Sequence, residues 1–460
     1  MKNTEQFKNK NVLVLGLAVS GYNAALLLHR LGADVTVNDF KDLSQSEEAQ
    51  DLKSKGIAVI SGGHPLEILE EPVDFIVKNP GIPYSNPLVK KAENKNIPII
   101  TEVELAYRIS ESPIIAITGT NGKTTTTMMT ENILNENRIT GKAFAVGNIG
   151  IPASLIAQTS TEVDDLVMEV SSFQLMGIEK FHPSIAVITN IYSAHLDFHK
   201  TRDEYVNAKL SITKNQTTDD YIIYNHDQGE VRDLVLSTTN AQPVPFSRKS
   251  VLEHGACVKD DQIMYDGELV MSTADVRIPG EHNLENALAA IAVAKIKGVE
   301  NESIRAAFRD FKGVKHRMQL VDTVKDRTFY NDSKATNSLA TIHALEGFTD
   351  PVLLLAGGLN RDESFDDLLP LLKEHVKAVI TFGETRDKLA AVAKQAGITE
   401  VTAVDTVSEA TVKAFEHSEP KDVILLSPAC ASWDQYNNFE ERGDDFIETV
   451  TSIRQAQRGG

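Results

Sequence analysis

The chain has 460 residues, 42% hydrophobic and 24% charged, as is usual for a soluble globular protein, and this length predicts about three domains. The formal net charge of −19 argues against a general nucleic-acid-binding protein, which usually presents a basic face. The two cysteines, Cys257 and Cys430, fit no disulfide framework and no zinc spacing, so the composition favours the reducing cytoplasm.

Residues 1–39 raise the question of export, because lysines precede a short apolar run. Glycines interrupt that run, and the letters that follow, YNAALLLHRLGADVTVNDF, have the pattern of a helix and then a strand. We therefore predict a folded N-terminal domain and not a cleaved secretion signal. No apolar stretch approaches the ~20 residues that span a bilayer, so the sequence predicts a cytoplasmic protein that does not enter the membrane.

Three segments combine an apolar strand, a glycine-rich turn and a helix: NVLVLGLAVSGYNAALLLHRLGADVTVND, PIIAITGTNGKTTTTMMTENIL and PVLLLAGGLNRDESFDDLLPLL. Unbroken runs of Val, Ile and Leu are typical of strands buried on both faces, in parallel sheets that helices cover. Shorter runs, DFIVKNPG, PSIAVITNIYSAH, KAVITFGET and DVILLSPACAS, end in polar or glycine-rich loops. Open α/β sheets bind ligands at such strand ends. The sequence therefore predicts an α/β protein with its sites at these loops.

Domain boundaries are predicted where one such unit stops and another begins. The segments NPGIPYSNP and AYRISESP place a first boundary near residue 110, and FKGVKHRMQL places a second near residue 314. The predicted domains are 1–110, 111–313 and 314–460. Alternating patterns such as DYIIYN and QIMYDGELV predict an antiparallel insertion over residues 217–275, within the middle domain.

The first glycine loop, GLAVSG, contains Gly16 and Gly21 and is followed by Asp39 at the end of the next predicted strand. Ala18 stands where the dinucleotide-binding pattern G-x-G-x-x-G has a glycine. An acidic residue about 20 positions further on often contacts a ribose hydroxyl. On this motif alone, a nucleotide-binding loop and a purely structural turn with a solvated Asp39 both remain open.

The second glycine loop, GTNGKT, resembles a phosphate-binding loop, although Ile117 stands where the usual pattern G-x-x-x-x-G-K-[ST] has its first glycine. Gly119 and Gly122 allow backbone amides to approach phosphate oxygens, and the helix start adds a positive dipole end. Lys123 is placed to neutralise phosphate charge and Thr124 to bind Mg²⁺. A plain turn is a poor explanation of Gly-Lys-Thr at this junction.

Three further segments carry candidate ligands. Glu169 ends the apolar strand DDLVMEV, and a buried carboxylate there needs a partner such as a metal ion or the amides of the following turn. His195 and Asp197 follow another strand, where neighbouring sites favour a metal role for the histidine over a structural one. Lys209 lies in the helical stretch RDEYVNAKLSI, and the residues alone indicate only a surface lysine.

Eight segments occur in a fixed order: GTNGKTT, EVSSFQL, NIYSAHLDFH, AKLSI, GEHNLENALAA, VKHRMQ, NDSKATN and LSPACASWDQYNNFEERG. Together they resemble the Mur ligases, the ATP-dependent enzymes that add amino acids to peptidoglycan precursors, and among them the members that add D-glutamate. The resemblance spans nearly the whole chain. It implies that the spacing around Ile117 is the phosphate loop typical of this family.

The resemblance implies an α/β protein of three domains, with N- and C-terminal Rossmann-like parallel sheets flanking a central P-loop-type ATPase domain. It implies ATP-dependent ligation of D-glutamate to UDP-N-acetylmuramoyl-L-alanine through an acyl phosphate, giving ADP and phosphate. The implied cofactor is Mg²⁺, as two ions, with a CO₂-derived carbamate on Lys209 that turns a cation into an oxygen ligand. The implied partners are these small molecules, with no nucleic acid and no membrane, and we expect a monomer.

The resemblance also implies a role for individual residues. Catalytic roles fall on Lys123, Glu169, His195, Lys209 and Lys334. Metal ligands are Thr124, Glu169, His195 and carbamylated Lys209. Contacts with ATP are Gly119, Thr120, Asn121, Gly122, Lys123, Thr124, Thr125, Asn283, Asn286, His316, Arg317 and Asn360. Contacts with the UDP substrate are Ala18, Val19, Ser20, Asp39, Phe40, Gly81, Asn148, Ser171 and Gln174. Contacts with D-glutamate are Thr336, Arg361, Ser432 and Phe439.

Two residues depart from a simple transfer of roles. Relatives often have aspartate where Asn360 stands, near the ATP ribose, so here an amide would replace a carboxylate. Trp433 stands beside Ser432, where a hydrophobic lid and ordinary packing are equally good interpretations.

Three alternatives are weighed against this assignment. Another amino-acid ligase of the superfamily, such as a different Mur ligase or a folylpolyglutamate synthase, shares the chemistry, but the latter lacks a separate UDP-binding unit before the ATP loop. A nucleotide-dependent oxidoreductase using GLAVSG or AGGLNRDE leaves the Gly-Lys-Thr loop unexplained. A signalling GTPase requires an Asn-Lys-x-Asp guanine motif, which the chain lacks.

Overall fold

The computed structural model describes residues 1–192, 194–361 and 363–458, without the side chains of Leu196, Asp197 and Arg458. The expectation for the Asp197 side chain therefore lies outside the described residues. Within them, twenty strands form three sheets that alternate with helices along the chain, which confirms the predicted α/β class. The chain folds into two compact units, Met1–Asp275 with Glu285–Phe308, and Val276–Leu284 with Arg309 onward. The boundaries near residues 110 and 314 stay predictions.

The N-terminal sheet has the order β3-β2-β1-β4-β5, and every neighbouring pair in it is parallel. Val12, Val14 and Leu15 of the central strand are buried, as the unbroken apolar run predicts. The strands are β1 Asn11–Leu15, β2 Asp34–Asp39, β3 Ala58–Ser61, β4 Phe75–Lys78 and β5 Ile99–Ile100, and the helices are α1 Val19–Arg30, α2 Glu47–Ser54, α3 Pro87–Asn94 and α4 Glu102–Ile109.

The middle sheet belongs to the same unit and has the order β14-β13-β12-β11-β10-β9-β6-β8-β7. Its strands are β6 Ile114–Thr118, β7 Ala143–Gly147, β8 Asp165–Glu169, β9 Ile185–Ile188, β10 Tyr221–Asn225, β11 Gln242–Ser247, β12 Ala256–Lys259, β13 Gln262–Tyr265 and β14 Glu268–Ser272. Its helices are α5 Lys123–Asn135, α6 Ala153–Ala157, α7 Ser172–Leu175, α8 Leu196–His199, α9 Arg202–Leu210, α10 Gly229–Thr238, α11 Glu281–Ile296 and α12 Asn301–Asp310. All five residues of β6 are buried, and the phosphate loop follows this strand.

The expected antiparallel insertion over residues 217–275 is only partly correct. β10 pairs in parallel with β9 and with β11, so it extends the main sheet. Only β12, β13 and β14 pair antiparallel. The alternation in DYIIYN was misleading, because the adjacent Ile222 and Ile223 are both fully buried, as in a strand covered on its two faces.

The C-terminal sheet lies in the second unit and has the order β15-β16-β20-β17-β18-β19. β15 is antiparallel to β16 and the other pairs are parallel. The strands are β15 Gln319–Val324, β16 Arg327–Asn331, β17 Val352–Gly357, β18 Val376–Phe382, β19 Glu400–Ala403 and β20 Val423–Leu426, and the helices are α13 Ser338–Leu345, α14 Leu369–His375, α15 Arg386–Gln395, α16 Val407–His417 and α17 Phe439–Arg458.

Bilayer crossing demands a long apolar helix, and none of the helices in the described part of the chain meets that demand. All the parallel strands of the three sheets end in loops on the side where α/β proteins bind ligands. Most of the predicted site residues of the first unit follow the strand ends of β1, β4, β6, β7, β8 and β9, whereas Asp39 ends β2 and Lys209 and Asn286 lie on helices. Most of the predicted residues of the second unit follow β16, β17 and β20.

Candidate active site

The loop between β1 and α1 is held by glycines and by Asp39. Gly16 has φ +98°, and a Cβ on Gly21 would lie 2.0 Å from the Gly16 carbonyl oxygen, so only glycine allows α1 to begin this close to β1. Asp39 ends β2 and its Oδ2 accepts a hydrogen bond of 2.6 Å from the Leu17 amide. The acidic residue therefore shapes the loop directly, and its carboxylate is not merely solvated as the structural alternative supposed.

A cavity of about 370 Å³ opens beside this loop, within the first unit. Of the nine residues predicted to contact the UDP substrate, Asp39 and Phe40 do not line this cavity. The other seven do: Ala18, Val19, Ser20, Gly81, Asn148, Ser171 and Gln174. Asn79, Glu102 and Phe173 also line the cavity. The loops after β1, β4, β7 and β8 thus converge on one space.

The buried side chains of Gln174 and Glu102 fix the wall of the cavity. Ser171 caps α7, and its side chain and that of Gln174 form a reciprocal capping box. Glu102 accepts a hydrogen bond of 2.5 Å from the Ser154 amide, and burial raises the pKa of its carboxyl above the usual range. The wall is consequently preorganised by a contact between α4 and α6 and by the capping of α7.

Lys78, at the end of β4, is fully buried and supports the loop that contains Gly81. Its Nζ donates to the carbonyl oxygens of Asn79, Pro80 and Ile82 at 3.2, 3.4 and 2.7 Å. Burial lowers the pKa of Lys78 to about 8. A charged amine that binds three carbonyls of one turn holds this part of the cavity in one shape.

The phosphate loop between β6 and α5 requires its glycines at both ends. A Cβ on Gly119, which has φ +155°, would lie 1.9 Å from Thr189 Oγ1, and one on Gly122, which has φ +81°, would lie 2.2 Å from Asn286 Oδ1. Asn286 also accepts from Thr126 Oγ1 at 3.2 Å. The predicted ATP residue Asn286 therefore packs directly under the loop.

Residues that follow β9 clamp this loop from the other side. The Asn190 side chain accepts from the Asn121 amide at 2.8 Å and donates to the Asn121 carbonyl at 3.1 Å. Tyr205, on α9, shares a hydrogen bond of 2.9 Å with Thr120 Oγ1. The motif alone did not identify Asn190 or Tyr205, because their contacts form across strands far apart in sequence.

Lys123 begins α5 and lies over its own loop. Its Nζ donates to the carbonyl oxygens of Gly119 and Thr120 at 2.9 and 2.8 Å. These contacts place the ammonium group beside the loop amides, where a bound phosphate would meet both. Thr125 follows on the same helix and is half-buried.

Glu169 connects the phosphate loop to the cavity. Its Oε2 accepts from Thr124 Oγ1 at 2.7 Å and its Oε1 accepts from Asn148 Nδ2 at 2.8 Å. Glu169 is buried, Thr124 lies in the first turn of α5, and Asn148 lines the cavity. One carboxylate therefore joins the two predicted binding regions of the first unit.

Lys209 is buried on α9, which overturns the surface position that its sequence context alone indicated. Its Nζ donates to the Gly119 carbonyl at 2.7 Å and lies 4.7 Å from the centre of the Tyr205 ring. Burial, and secondarily the charge of Lys123, lower the pKa of Lys209 to about 6, against an opposing effect of Glu169. The amine is therefore largely neutral at pH 7.

His195 adopts φ +55° before α8 and lies in a group of rings. Its ring centre lies 5.1 Å from that of Phe173, which lines the cavity, and 6.2 Å from that of Tyr205. Across the described residues, no group of three or more His, Cys, Asp and Glu side chains is arranged to hold a metal ion. The structure brings Thr124 and Glu169 together, and both offer oxygen atoms, which Mg²⁺ prefers.

The second unit organises its predicted residues around β16 and β20. His316 is buried with φ +62°, and its Nδ1 lies 3.1 Å from Asn331 Nδ2. Burial lowers its pKa. Asp332 accepts hydrogen bonds from the Met318 amide and Ser427 Oγ at 3.2 and 3.0 Å, and burial raises its pKa to about 7. These contacts join the VKHRMQ, NDSKATN and SPACAS segments.

The predicted D-glutamate residues lie near the same strand ends. The Lys334 Nζ lies 3.8 Å from the Phe439 ring centre. The Arg361 guanidinium lies 5.0 Å from the ring of Trp433, which is 65% exposed. Trp433 is therefore not a core residue, and a hydrophobic lid and packing against Arg361 both stay predictions for it. Ser432 is buried and Thr336 half-buried.

The remaining predicted ATP residues of this unit have different environments. Asn283 is buried and its Nδ2 donates to the Pro279 carbonyl at 2.7 Å. Arg317 and Asn360 are exposed. The Asn360 side-chain oxygen accepts from Lys388 Nζ at 2.9 Å, so the amide that replaces the usual aspartate still has a cationic neighbour.

Comparison with known families matches nearly the whole chain in three parts. Residues 10–101 match "Mur ligase MurD-like, N-terminal domain", residues 117–294 match "Mur ligase middle domain", and residues 316–430 match "Mur ligase, glutamate ligase domain". The first match covers the cavity loops after β1 and β4, the second covers the phosphate loop, and the third begins at His316.

Two solved structures share the fold of the whole chain. MurC from Thermotoga maritima has a TM-score of 0.57 at 20% identity, covering 96% of this chain and 99% of its own. MurF from the same organism, in complex with ADP, has 0.56 at 16%, covering 98% of each chain. These identities show the shared fold.

Among curated proteins, two named UDP-N-acetylmuramoylalanine--D-glutamate ligase are 56% and 54% identical to the chain. The first, from Enterococcus faecalis, aligns over 99% of this chain and 100% of its own length. The second, from Lactiplantibacillus plantarum, aligns over 98% of each. With this identity over this length, the chain belongs to the Mur ligase family.

Proposed function

We propose that the chain joins D-glutamate to UDP-N-acetylmuramoyl-L-alanine at the expense of ATP, in peptidoglycan precursor synthesis. The observation that carries the proposal is the position of Glu169. Its carboxylate contacts Thr124 at the phosphate loop and Asn148 on the cavity wall. A substrate carboxylate held in the cavity would thus end beside the γ-phosphate of ATP. The names of the Enterococcus and Lactiplantibacillus relatives support the choice of substrates.

The chemistry explains why such an enzyme needs ATP. A carboxylate has no leaving group and does not condense with an amine at neutral pH. Transfer of the γ-phosphoryl group to a carboxylate oxygen gives an acyl phosphate and ADP. The D-glutamate amine then attacks the acyl carbon, phosphate leaves with the former carboxylate oxygen, and the amine loses a proton. Catalysis depends mainly on stabilising the negative charge of the transferring phosphoryl group in the transition state.

The side chains of the first unit supply much of that stabilisation. Lys123 and the loop amides from Gly119 to Thr125 would bind the phosphates, and the start of α5 adds its dipole. The UDP substrate would be held by Ala18, Val19, Ser20, Gly81, Asn148, Ser171 and Gln174, with Asp39 at the end of β2 and Phe40 directly after it. In the second unit, Asn283, His316, Arg317 and Asn360 would contact ATP.

The D-glutamate site is assigned to the second unit. The amino acid would be held by Thr336, Arg361, Ser432 and Phe439. Lys334 would have a catalytic role beside them. A guanidinium pairs with a carboxylate through two parallel hydrogen bonds, and the exposed Arg361 side chain carries such a group. D-Glutamate has two carboxylates, so a cationic pocket suits it.

Magnesium and a carbamate complete the proposed site. Thr124, Glu169, His195 and carbamylated Lys209 would hold two Mg²⁺ ions, which neutralise phosphate charge when bound. Carbamate formation joins the neutral Lys209 amine to CO₂ and releases one proton. The buried position of Lys209 and its pKa near 6 favour that neutral amine at physiological pH.

The solution state follows from the same assignment. We place the enzyme in the cytoplasm, where its nucleotide-linked substrate is made, and we expect a monomer. Light scattering coupled to gel filtration measures the mass directly. A mass near 50.4 kDa supports the monomer, and a mass near twice that value contradicts it.

A phosphate-release assay tests the proposed reaction. Purified protein receives ATP and Mg²⁺ with UDP-N-acetylmuramoyl-L-alanine and, in turn, a panel of D- and L-amino acids. We expect release to require the UDP substrate and D-glutamate together, with a ligated product of the corresponding mass. Failure to consume ATP with that pair overturns the proposal, and preference for another amino acid would indicate a different ligase of the family.

A further inference from the structure

Two loops at the carboxyl ends of β2 and β3 are tied together beside the cavity loops. β2 and β3 are parallel, so these ends lie at one edge of the N-terminal sheet. The Gly62 amide donates to the Lys41 carbonyl at 3.0 Å. The Asn38 side-chain nitrogen donates to the carbonyls of Ile60 and Gly63 at 3.0 and 2.9 Å. Phe40 and His64 are carried on these two loops and have fixed positions relative to each other.

The exposed Phe40 and the half-buried His64 form an aromatic pair at the surface. Their ring centres lie 5.7 Å apart, and Phe40 is 70% exposed. An apolar ring left in water but held against a second ring offers a stacking surface for a flat ligand. Asp39, which precedes Phe40, occupies the position that contacts the ribose in nucleotide-binding α/β sheets. The base of a nucleotide whose ribose lies there would reach this pair.

The hydrogen bonds of Asn38 determine which nitrogen of His64 carries the proton. The Asn38 amide nitrogen is directed at two carbonyl oxygens, so its oxygen faces His64 Nδ1, at 2.6 Å. An oxygen can only accept, so Nδ1 must donate. In the neutral imidazole, Nε2 is then unprotonated and accepts hydrogen bonds. Asn38 is fully buried, which protects this arrangement from water.

We infer that His64 selects the pyrimidine base of the UDP substrate: its Nε2 accepts a hydrogen bond from uracil N3–H while Phe40 provides a stacking face. Uracil carries a hydrogen at N3, whereas cytosine carries a lone pair there, so an acceptor at this point distinguishes them. His64 was not among the residues implied by family resemblance. The inference rests on the proposed function, because it takes the UDP-linked substrate as the ligand.

Binding calorimetry with two ligands and two variants tests the inference. UDP has the N3–H donor, and N3-methyl-UDP lacks it. His64→Phe keeps a ring against Phe40 but removes the acceptor. His29→Phe, at an exposed position on α1 of the same sheet, is the matched control. We expect wild-type protein and the control to prefer UDP, and His64→Phe to lose about 3- to 10-fold in affinity for UDP with little change for N3-methyl-UDP.

The outcomes separate this inference from the function on which it rests. An equal loss for both ligands in His64→Phe would mean that His64 only supports the loop, and would overturn the inference. A wild-type protein that binds neither UDP nor the full UDP substrate would overturn the proposed function instead. An unchanged KM for ATP in His64→Phe is expected, since the phosphate loop lies on another sheet.

A measurement on the wild-type protein keeps the test valid if His64→Phe folds poorly. Nitrogen-15 NMR of the imidazole rings distinguishes protonated from unprotonated ring nitrogens. We expect His64 with a protonated Nδ1 and an unprotonated Nε2, and an Nε2 shift on adding UDP but not N3-methyl-UDP. A proton on Nε2 in the free protein, or the same response to both ligands, would overturn the inference.

Discussion

The β1–α1 loop and the β6–α5 loop are built on the same plan and differ in chemistry. Each follows an inner parallel strand and leads into a helix. The β6–α5 loop is enclosed by Thr189, Asn190 and Asn286 and carries Lys123. The β1–α1 loop leaves Val19 64% exposed, and the carboxylate of Asp39 occupies its Leu17 amide. In the proposed function each loop would bind a nucleotide, and the charged side chain beside the loop would decide which part of the nucleotide binds there.

The sign of that side chain has a direct consequence. A triphosphate at the β1–α1 loop would meet the negative charge of Asp39, whereas at the β6–α5 loop it meets an ammonium group and a helix start. The first loop suits sugar hydroxyls and the second suits phosphates. Predictions that separate the two loops therefore test the assignment of substrates to them.

Replacing Lys123 should have the largest effect and should be confined to the β6–α5 loop. We expect Lys123→Met to lower kcat/KM by about 10³-fold, because it removes a cation from the transferring phosphoryl group. The Kd of the UDP substrate alone, measured by calorimetry, should stay within about 2-fold of the wild-type value, because changes at distant sites are nearly independent.

The matched change at the other loop is Asp39→Asn. It should weaken binding of the UDP substrate and leave the Kd for ATP unchanged, because Asp39 contacts the β1–α1 loop and not the β6–α5 loop. If each variant weakened both ligands equally, the division between the loops would be wrong.

Replacing Lys209 should have the next largest effect. Its amine contacts the carbonyl of Gly119, and its carbamate would supply oxygen to Mg²⁺ beside the β6–α5 loop. We expect Lys209→Met to lose about 10²-fold in kcat, with no recovery in high bicarbonate. Carbon-13 NMR of protein kept under labelled CO₂ should show a carbamate signal in the wild type and none in the variant. Full activity of the variant would remove the carbamate from the proposal.

Sequence patterns predicted the fold and much of the site for a physical reason. Buried parallel strands need unbroken apolar runs, and close approach of a phosphate needs glycine, so both features can be recognised in the sequence. Glu169 was identified because it ends such a strand. Burial of Lys209 was not evident from its neighbours, and only family resemblance raised its role.

Other contacts could not be predicted because they depend on which strands become neighbours. Asn190 clamps the phosphate loop because β9 lies beside β6, an order that no local pattern encodes. Asn38 orients His64 across 26 positions. Lys78 did leave a signal, a lysine ending an apolar strand, but its three carbonyl partners emerge only from the fold of the turn.

Replacing one glycine of each loop with alanine tests how far backbone strain in that loop disturbs its own ligand. Gly122→Ala and Gly16→Ala each place a Cβ at positive φ and in contact, 2.2 Å from Asn286 Oδ1 and 2.8 Å from Asn79 Cβ. Each should lower the free energy of unfolding by about 1–3 kcal/mol. We expect Gly122→Ala to raise the KM for ATP about 10-fold and Gly16→Ala to raise the KM for the UDP substrate by a comparable factor.

Gly56→Ala is the control for strain alone. Gly56 has φ +84° and open space around its missing Cβ, so its replacement should cost about 1 kcal/mol of stability and leave both KM values unchanged. Chemical denaturation measures the first effect and steady-state kinetics the second. A selective KM change in Gly56→Ala would show that strain anywhere in the unit disturbs the sites, and the comparison of loops would lose its meaning.

Lys78→Met should have the smallest effect, and its pH dependence distinguishes a positioning role from simple packing. The Lys78 pKa of about 8 lies below the usual lysine value because of burial. The ammonium form therefore predominates below pH 8, and above it the amine keeps two N–H donors for three carbonyls. The KM of wild-type enzyme for the UDP substrate should rise about 3-fold as pH passes through 8. Tyr84, whose ring centre lies 4.8 Å from Nζ, has a pKa raised to about 12 and stays neutral in this range. In Lys78→Met the KM should already be raised, without a step near pH 8, while the KM for ATP follows the wild type. The same step in both proteins would assign the titration to another group and leave Lys78 with packing alone.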